Sequence, residues 1–269
     1  MVANAQPPNE NPFGHGGGGS RDRRRTDHHQ SADQARSREV DRLLGGPALP
    51  VDGDAGDGLR PAGSEHRAAA DAGPALTQLD RKLAVWMHRL GVIEADPRWR
   101  RRFDPVDALA RSILYQQLSG KAAATIVGRV EAAIGSDRLH ADTLGRCDDA
   151  TLRACGVSGN KLLALRDLAA RESRGEIPDL RRMATMDNDA LIAALVPVRG
   201  IGRWTVEMML MFRLGRPDVL PVDDLGIRKG AQRVDRADAM PTPKTLQARG
   251  ERWGPYRSYA SFYLWRIAD

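Results

Sequence analysis

Two adjacent carboxylates, Asp223 and Asp224, stand at the end of an apolar connector, residues 219–222. At such a place one of them caps the helix that follows while the other projects into a cleft, and residue type alone does not say which. A carboxylate kept from water beside a developing positive charge stabilises that charge, so the pair is a candidate for chemistry through a cationic transition state. Upstream, residues 196–205 read VPVRGIGRWT: one helix ends, two glycines bracket Ile201, and another helix begins at once. Gly200 and Gly202 can both take positive φ and bare their N–H groups, and the helix opening at Arg203 turns its positive end to the same point. The result is a nest for a phosphate, held by main-chain donors that fix register without reading sequence. The bland alternative is that G-I-G closes a tight corner between two helices.

Helices must carry these groups. Leu76, Leu79, Leu83, Trp86, Met87 and Leu90 recur at three and four residues, so order is expected to begin at Leu76. Pro105 suits a first helical position and predicts a helix over 105–117. Ser119 caps the next, over 120–134, which Gly135 ends. Further helices are predicted over 149–155, 160–173, 187–195, 203–212, 225–234, 242–253 and 257–268. Residues 219–222 are β-branched and apolar, but four residues with Pro221 among them make a poor sheet member. The expected fold is therefore all-α, with about ten helices in one compact domain over 76–269. Residues 1–75 are crowded with Gly, Pro, Asp, Arg and Ala, hold no apolar period, and read as a disordered low-complexity tail.

Four ordered motifs narrow the reading: ALARSILYQQLSGKAA over 108–123, LRACGVSGNK over 152–161, VRGIGRWTVEMML over 198–210 and VLPVDDLGIRKG over 219–230. Together they resemble the helix-hairpin-helix DNA glycosylase superfamily and, within it, the DNA-3-methyladenine glycosylase II family of alkylation repair. The resemblance covers roughly residues 79–267. It implies a two-lobed helical core and a monofunctional enzyme that flips alkylated purines, of the 3-methyladenine and 7-methylguanine type, out of double-stranded DNA and hydrolyses their N-glycosidic bonds. By the motif match Asp224 is catalytic and Asp223 caps the helix. The match puts Trp204, Met208, Leu225 and Tyr256 in the base pocket, Met208 and Leu225 standing where the family can have tyrosines. Among the few aromatics, Tyr115, Phe212 and Trp253 are further candidates to hold a cationic base. The resemblance makes Gln117, with Leu118 beside it, the wedge that enters the duplex. Gly200, Ile201, Gly202 and Arg203 become the phosphate-binding hairpin, and the main-chain carbonyls of Val196, Val198 and Ile201 would hold a monovalent cation; no other cofactor is implied. Trp204 stands two residues past the second glycine, where bifunctional relatives carry a Schiff-base lysine, so strand cleavage by that route is not expected. Lys161 and Lys229 are left to phosphate or surface roles.

The bulk composition agrees with such a partner. Residues 1–75 hold 9 basic and 11 acidic residues, and the remainder 32 basic and 24 acidic, so the positive charge lies in the part expected to fold. Cys147 and Cys155 are too few for a disulfide scaffold, an iron–sulfur cluster or a structural zinc site, and are expected to be reduced and buried. No charged start leads into an apolar stretch, and no run of eighteen apolar residues occurs, which predicts a cytoplasmic, nucleoid-associated monomer without membrane contact. Two rival readings are a glycosylase for oxidised or deaminated bases and a non-catalytic DNA clamp.

Overall fold

The computed structural model describes residues 64–93 and 102–269, with side chains from residue 70 onward. Every regular element among the described residues is helical. In chain order the helices are α1 Ser64–Leu79, α2 Arg81–Leu90, α3 Pro105–Tyr115, α4 Gly120–Ile134, α5 Ala141–Leu144, α6 Asp149–Ala154, α7 Gly159–Ser173, α8 Leu180–Thr185, α9 Asn188–Leu195, α10 Arg203–Phe212, α11 Leu225–Asp235, α12 Pro243–Gly250 and α13 Arg257–Ala268. A 3₁₀ turn, Glu251–Trp253, extends α12. None of them is long and apolar enough to cross a membrane.

Local chemistry sets most of these boundaries. Asp104 accepts from the amides of Val106 and Asp107 and places Pro105 at the first position of α3. Ser119 Oγ accepts from the Ala122 amide, and Gly135 in the left-handed region (φ 65°) stops α4, both as the sequence predicts. α3 ends earlier than predicted because Gln116 is extended at ψ 134° and Gln117 takes φ 58°. The apolar repeat after Leu76 is divided by Asp80, whose carboxylate caps α2 through Lys82 and Leu83. Order also starts earlier than Leu76, since α1 opens at Ser64 and Ala72 on it is buried; the rest of the predicted tail, residues 1–63, lies outside the described residues. The short helices α5 and α8 carry too few residues to show a period and were not foreseen.

The helices fall into two packing groups. α3 packs on α4 and α7, α5 and α6 pack on α7, and α9 packs on α10. The N-terminal α1 and α2 pack on the C-terminal α13, α2 also touches α11, and α11 and α13 share the most extensive contact. One continuous apolar core joins the groups. Asp80 is 3% exposed, and beyond its capping role its other oxygen takes Arg249 Nη1 at 2.8 Å and Trp253 Nε1 at 3.0 Å, tying the start of α2 to the end of α12. In the other group His140 lies between Asp104 (2.9 Å) and Glu172 (2.5 Å). The hydrogen bond to Asp104, helped by Glu172, holds the imidazole protonated up to about 9. Cys147 and Cys155 are free and buried, their S–H groups directed to the carbonyls of Ala133 and Arg129.

Candidate active site

Asp224 is the cap of α11 as well as the site's carboxylate. A turn closed by its own amide on Pro221 O (3.1 Å) swings it out of the buried 219–221 connector, which Ser258 Oγ fixes through the Val219 amide. Asp224 Oδ1 accepts from the Ile227 amide at 2.9 Å and from Trp265 Nε1 at 2.8 Å, and Oδ2 accepts from Trp204 Nε1 at 2.9 Å. The expectation that Asp223 caps the helix is therefore wrong: Asp223 is exposed, and Asp224 is the cap. A carboxylate offers about four lone pairs, and three are filled, so the open one is on Oδ2. Three donors on one ionised group fix its orientation and leave it little freedom to turn from whatever approaches that oxygen.

The second indole was not anticipated. Trp265 projects from the last turns of α13, stacks on Phe212 (centroids 5.9 Å apart, 25° between planes) and leans on Phe262. Gly226 makes its approach possible, because a Cβ there would stand 2.8 Å from Trp265 Cδ1 and 3.1 Å from Asp224 Oδ1. The predicted pocket set is thus only partly assembled. Trp204 is half-buried against Asp224, and Leu225, next in the chain, is 66% exposed. Met208 is 1% exposed and sits in the core, so it does not face an open pocket. Tyr256 caps the far end of α13 from Trp265, nine residues away or roughly 13 Å along a helix rising 1.5 Å per residue. Trp265, not Tyr256, is the aromatic that α13 brings to the carboxylate. Among the other aromatic candidates Phe212 backs Trp265, and Trp253 is wholly buried.

A further carboxylate lies close by. Glu207 on α10 is 3% exposed and pairs with Arg203, Nε to Oε1 at 2.9 Å. Burial raises its carboxyl to about 7, against the pull of Arg203 and with the push of Asp223 and Asp224. Its signal in sequence, a Glu one turn after an Arg, is common on exposed helices, so nothing marked it as buried.

The hairpin joins α9 to α10 as predicted, with one change. Gly200 takes φ 80°, but Gly202 is extended at φ −90° and ψ 165°, so only the first glycine exploits a left-handed backbone. Gly202 serves instead as an N-cap without a side chain, leaving the first-turn amides of α10 uncovered by any capping group. Ile201 is buried, while Arg203 is exposed with Glu207 behind it. Gln117 and Leu118 are both exposed in the α3–α4 turn. Lys161 is partly buried: its Nζ donates to Leu114 O at 2.7 Å at the end of α3, and burial lowers its pKa. Lys229 is exposed on α11.

The profile described as HhH-GPD superfamily base excision DNA repair protein matches residues 110–255, which hold the α3–α4 turn, the hairpin and Asp224. DNA-3-methyladenine glycosylase 1 of Schizosaccharomyces pombe is 36% identical over 166 residues, 61% of this chain and 73% of that protein. The crystal structure of a DNA-3-methyladenine glycosidase from Bacillus halodurans is 34% identical and superposes with a TM-score of 0.64 over 72% of this chain and 87% of that one. The S. pombe 3-methyladenine DNA glycosylase in complex with abasic DNA is also 34% identical, with a TM-score of 0.61 over 72% and 95% of the two chains.

Proposed function

This chain belongs to the HhH-GPD superfamily of base excision DNA repair proteins, and on that premise we propose that it is a monofunctional DNA glycosylase that excises alkylated purines from duplex DNA. One observation carries the proposal: Asp224, held by two indole N–H groups and a helix amide, keeps an unfilled acceptor position on Oδ2. Cleaving the C1′–N bond sends its electron pair to the departing base and leaves positive charge on the deoxyribose. A fixed carboxylate beside C1′ stabilises that charge, and water completes the hydrolysis by adding to C1′. A 3-methyladenine or 7-methylguanine base is already cationic and leaves neutral, so no general acid is required. Its positive charge suits the faces of Trp204 and Trp265. Trp204 at the position of the Schiff-base lysine supports base release without strand cleavage.

The target base must leave the stack first. The α3–α4 turn supplies Gln117 and Leu118 to fill the gap, and the uncapped start of α10 with the Gly200–Gly202 turn grips a backbone phosphate. The carbonyls of Val196, Val198 and Ile201 would hold a monovalent cation. Val198 O accepts only the Ile201 amide at 3.0 Å among the main-chain bonds of the turn, so a lone pair remains, and neutral oxygen donors suit a singly charged ion. A DNA clamp would explain the hairpin but not a carboxylate pinned by two indoles.

The test is release of methylated bases from alkylated duplex DNA under single-turnover conditions. Asp224→Asn keeps a carbonyl oxygen for the cap but turns an amide toward Trp204, and it should lose on the order of 10²- to 10³-fold in rate while still melting as a folded protein. Full release by that variant would overturn the catalytic assignment.

A further inference from the structure

Gln116, one residue before the wedge, reaches across to the hairpin. Its Nε2 donates to Gly200 O at 2.8 Å, a bond between residues 84 apart in sequence. Gly200 is the hairpin residue at φ 80°, and a Cβ there would meet Ala164 Cβ of α7 at 3.3 Å, so the turn is seated closely against that helix. The next amide back, Arg199 N, donates to Asp167 Oδ2 of α7 at 2.8 Å. The hairpin apex is therefore held from two sides, by Asp167 on the amide of Arg199 and by Gln116 on the carbonyl of Gly200. α7 holds the wedge turn as well, since Lys161 Nζ donates to Leu114 O.

Gln117 itself occupies the left-handed region at φ 58° although it is not glycine. Such a conformation costs roughly 1–3 kcal/mol and persists only where its surroundings impose it. The hydrogen bonds that hold it are the Gln116 amide on Ser112 O, the Leu118 amide on Tyr115 O at 3.3 Å, Lys161 Nζ on Leu114 O and the Gln116 side chain on Gly200 O. The last two leave the turn, and of these the Gln116 bond reaches the hairpin.

We propose that Gln116 is a positioning residue that couples the duplex wedge to the phosphate hairpin, so that gripping the backbone and entering the stack happen together. The proposal rests on the glycosylase reading above. A phosphate drawn against the Gly200–Gly202 turn fixes Gly200 O, and through Gln116 that fixes the angle at which residues 117 and 118 meet the bases. Binding to undamaged duplex uses the hairpin alone, whereas binding at a gap uses both, so the link bears on discrimination more than on overall affinity.

The test uses the full chain with two duplexes, one undamaged and one holding an abasic-site analogue beside 2-aminopurine, whose fluorescence rises when its stacking is broken. Gln116→Met keeps the length without a donor, and Gln116→Glu sets an acceptor against the Gly200 carbonyl. In both variants the ratio of abasic-site to undamaged affinity should fall about 3- to 10-fold, the worth of one neutral hydrogen bond, and the fluorescence rise at saturating protein should shrink. A partly unfolded variant lowers both affinities alike and leaves the ratio unmoved, so an unchanged ratio in both variants, with a wild-type fluorescence rise, overturns the coupling. If Gln117→Ala and Leu118→Ala also leave the rise intact, the wedge reading falls and the coupling with it. Failure of wild-type protein to release methylated bases, beside an intact abasic-site response, overturns only the enzymatic reading.

Discussion

Placing a single methyl group at Gly226 should separate the carboxylate from one of its indoles without harming the fold. Gly226 is the second residue of α11, in ordinary helical backbone, so alanine is locally tolerated and by helix propensity gains up to about 1 kcal/mol. Its Cβ, however, would stand 2.8 Å from Trp265 Cδ1 and 3.2 Å from Nε1. Asp224 cannot yield, being tied to the Ile227 amide and to Trp204, so the rigid indole must move and the 2.8 Å bond to Oδ1 opens. A hydrogen bond to a charged acceptor contributes about 1.5–3 kcal/mol, which is roughly 10- to 100-fold in rate if it is felt in the transition state. The assay is single-turnover excision of 7-methylguanine from duplex DNA, with a thermal melt on the same samples. Gly226→Ala should lose that factor while still melting cooperatively as a folded protein, with a net stability loss of no more than about 2 kcal/mol. Trp265→Phe, which deletes the N–H but keeps a ring against Phe212, should match it within about threefold. Wild-type excision by Gly226→Ala would show that the Trp265 contact does not set the carboxylate for chemistry.

Two further outcomes concern stability. At Gly230 the same addition meets main chain, with a Cβ 2.0 Å from Leu264 O, so Gly230→Ala must push α11 and α13 apart; a loss above roughly 3 kcal/mol in denaturant unfolding is expected. Glu207 is raised to about 7 from an ordinary 4.5, so its contribution is whole below pH 4.5 and disappears as pH rises through 7. Glu207→Gln should therefore gain on wild type by on the order of 2–3 kcal/mol between pH 5 and pH 8 in urea titrations. A second loss, between about 6.5 and 9, belongs to the raised His140 and should persist in that variant.

What the sequence displays and what it hides divide by physical range. Ser119, Gly135 and Pro105 act on amides or dihedrals within a few residues, so helix ends beside them were legible to the residue. The hairpin and the Asp223–Asp224 pair were legible for the same reason, as a short join and two carboxylates after an apolar connector, and the motif match singled out Asp224. The partners of Asp224 did not. Trp265 lies 41 residues further on, in a helix whose other residues are mostly buried, and no local pattern separates an indole that packs inward from one that also donates to a distant carboxylate. Met208 illustrates the reverse error: four residues after Trp204, it shares that residue's face of α10, but it lies on the stretch from Thr205 to Met211 that is buried throughout. Burial is a property of the assembled helices, and so the 1% exposure of Met208 and the buried carboxyl of Glu207 emerge only in three dimensions.

The assembly also shows why the site stands where it does. Gly226 and Gly230 are one turn apart on α11 and face the same neighbour, one beneath the ring of Trp265 and the other beneath the main chain at Leu264. The lower glycine lets the two backbones approach, and the upper one lets the indole use that approach to reach Asp224. Helix packing and carboxylate geometry are therefore one constraint read at two heights. It follows that the variants should fail in different ways. Bulk at Gly230 strikes main chain and is answered by the fold, whereas bulk at Gly226 strikes a side chain and is answered by the chemistry.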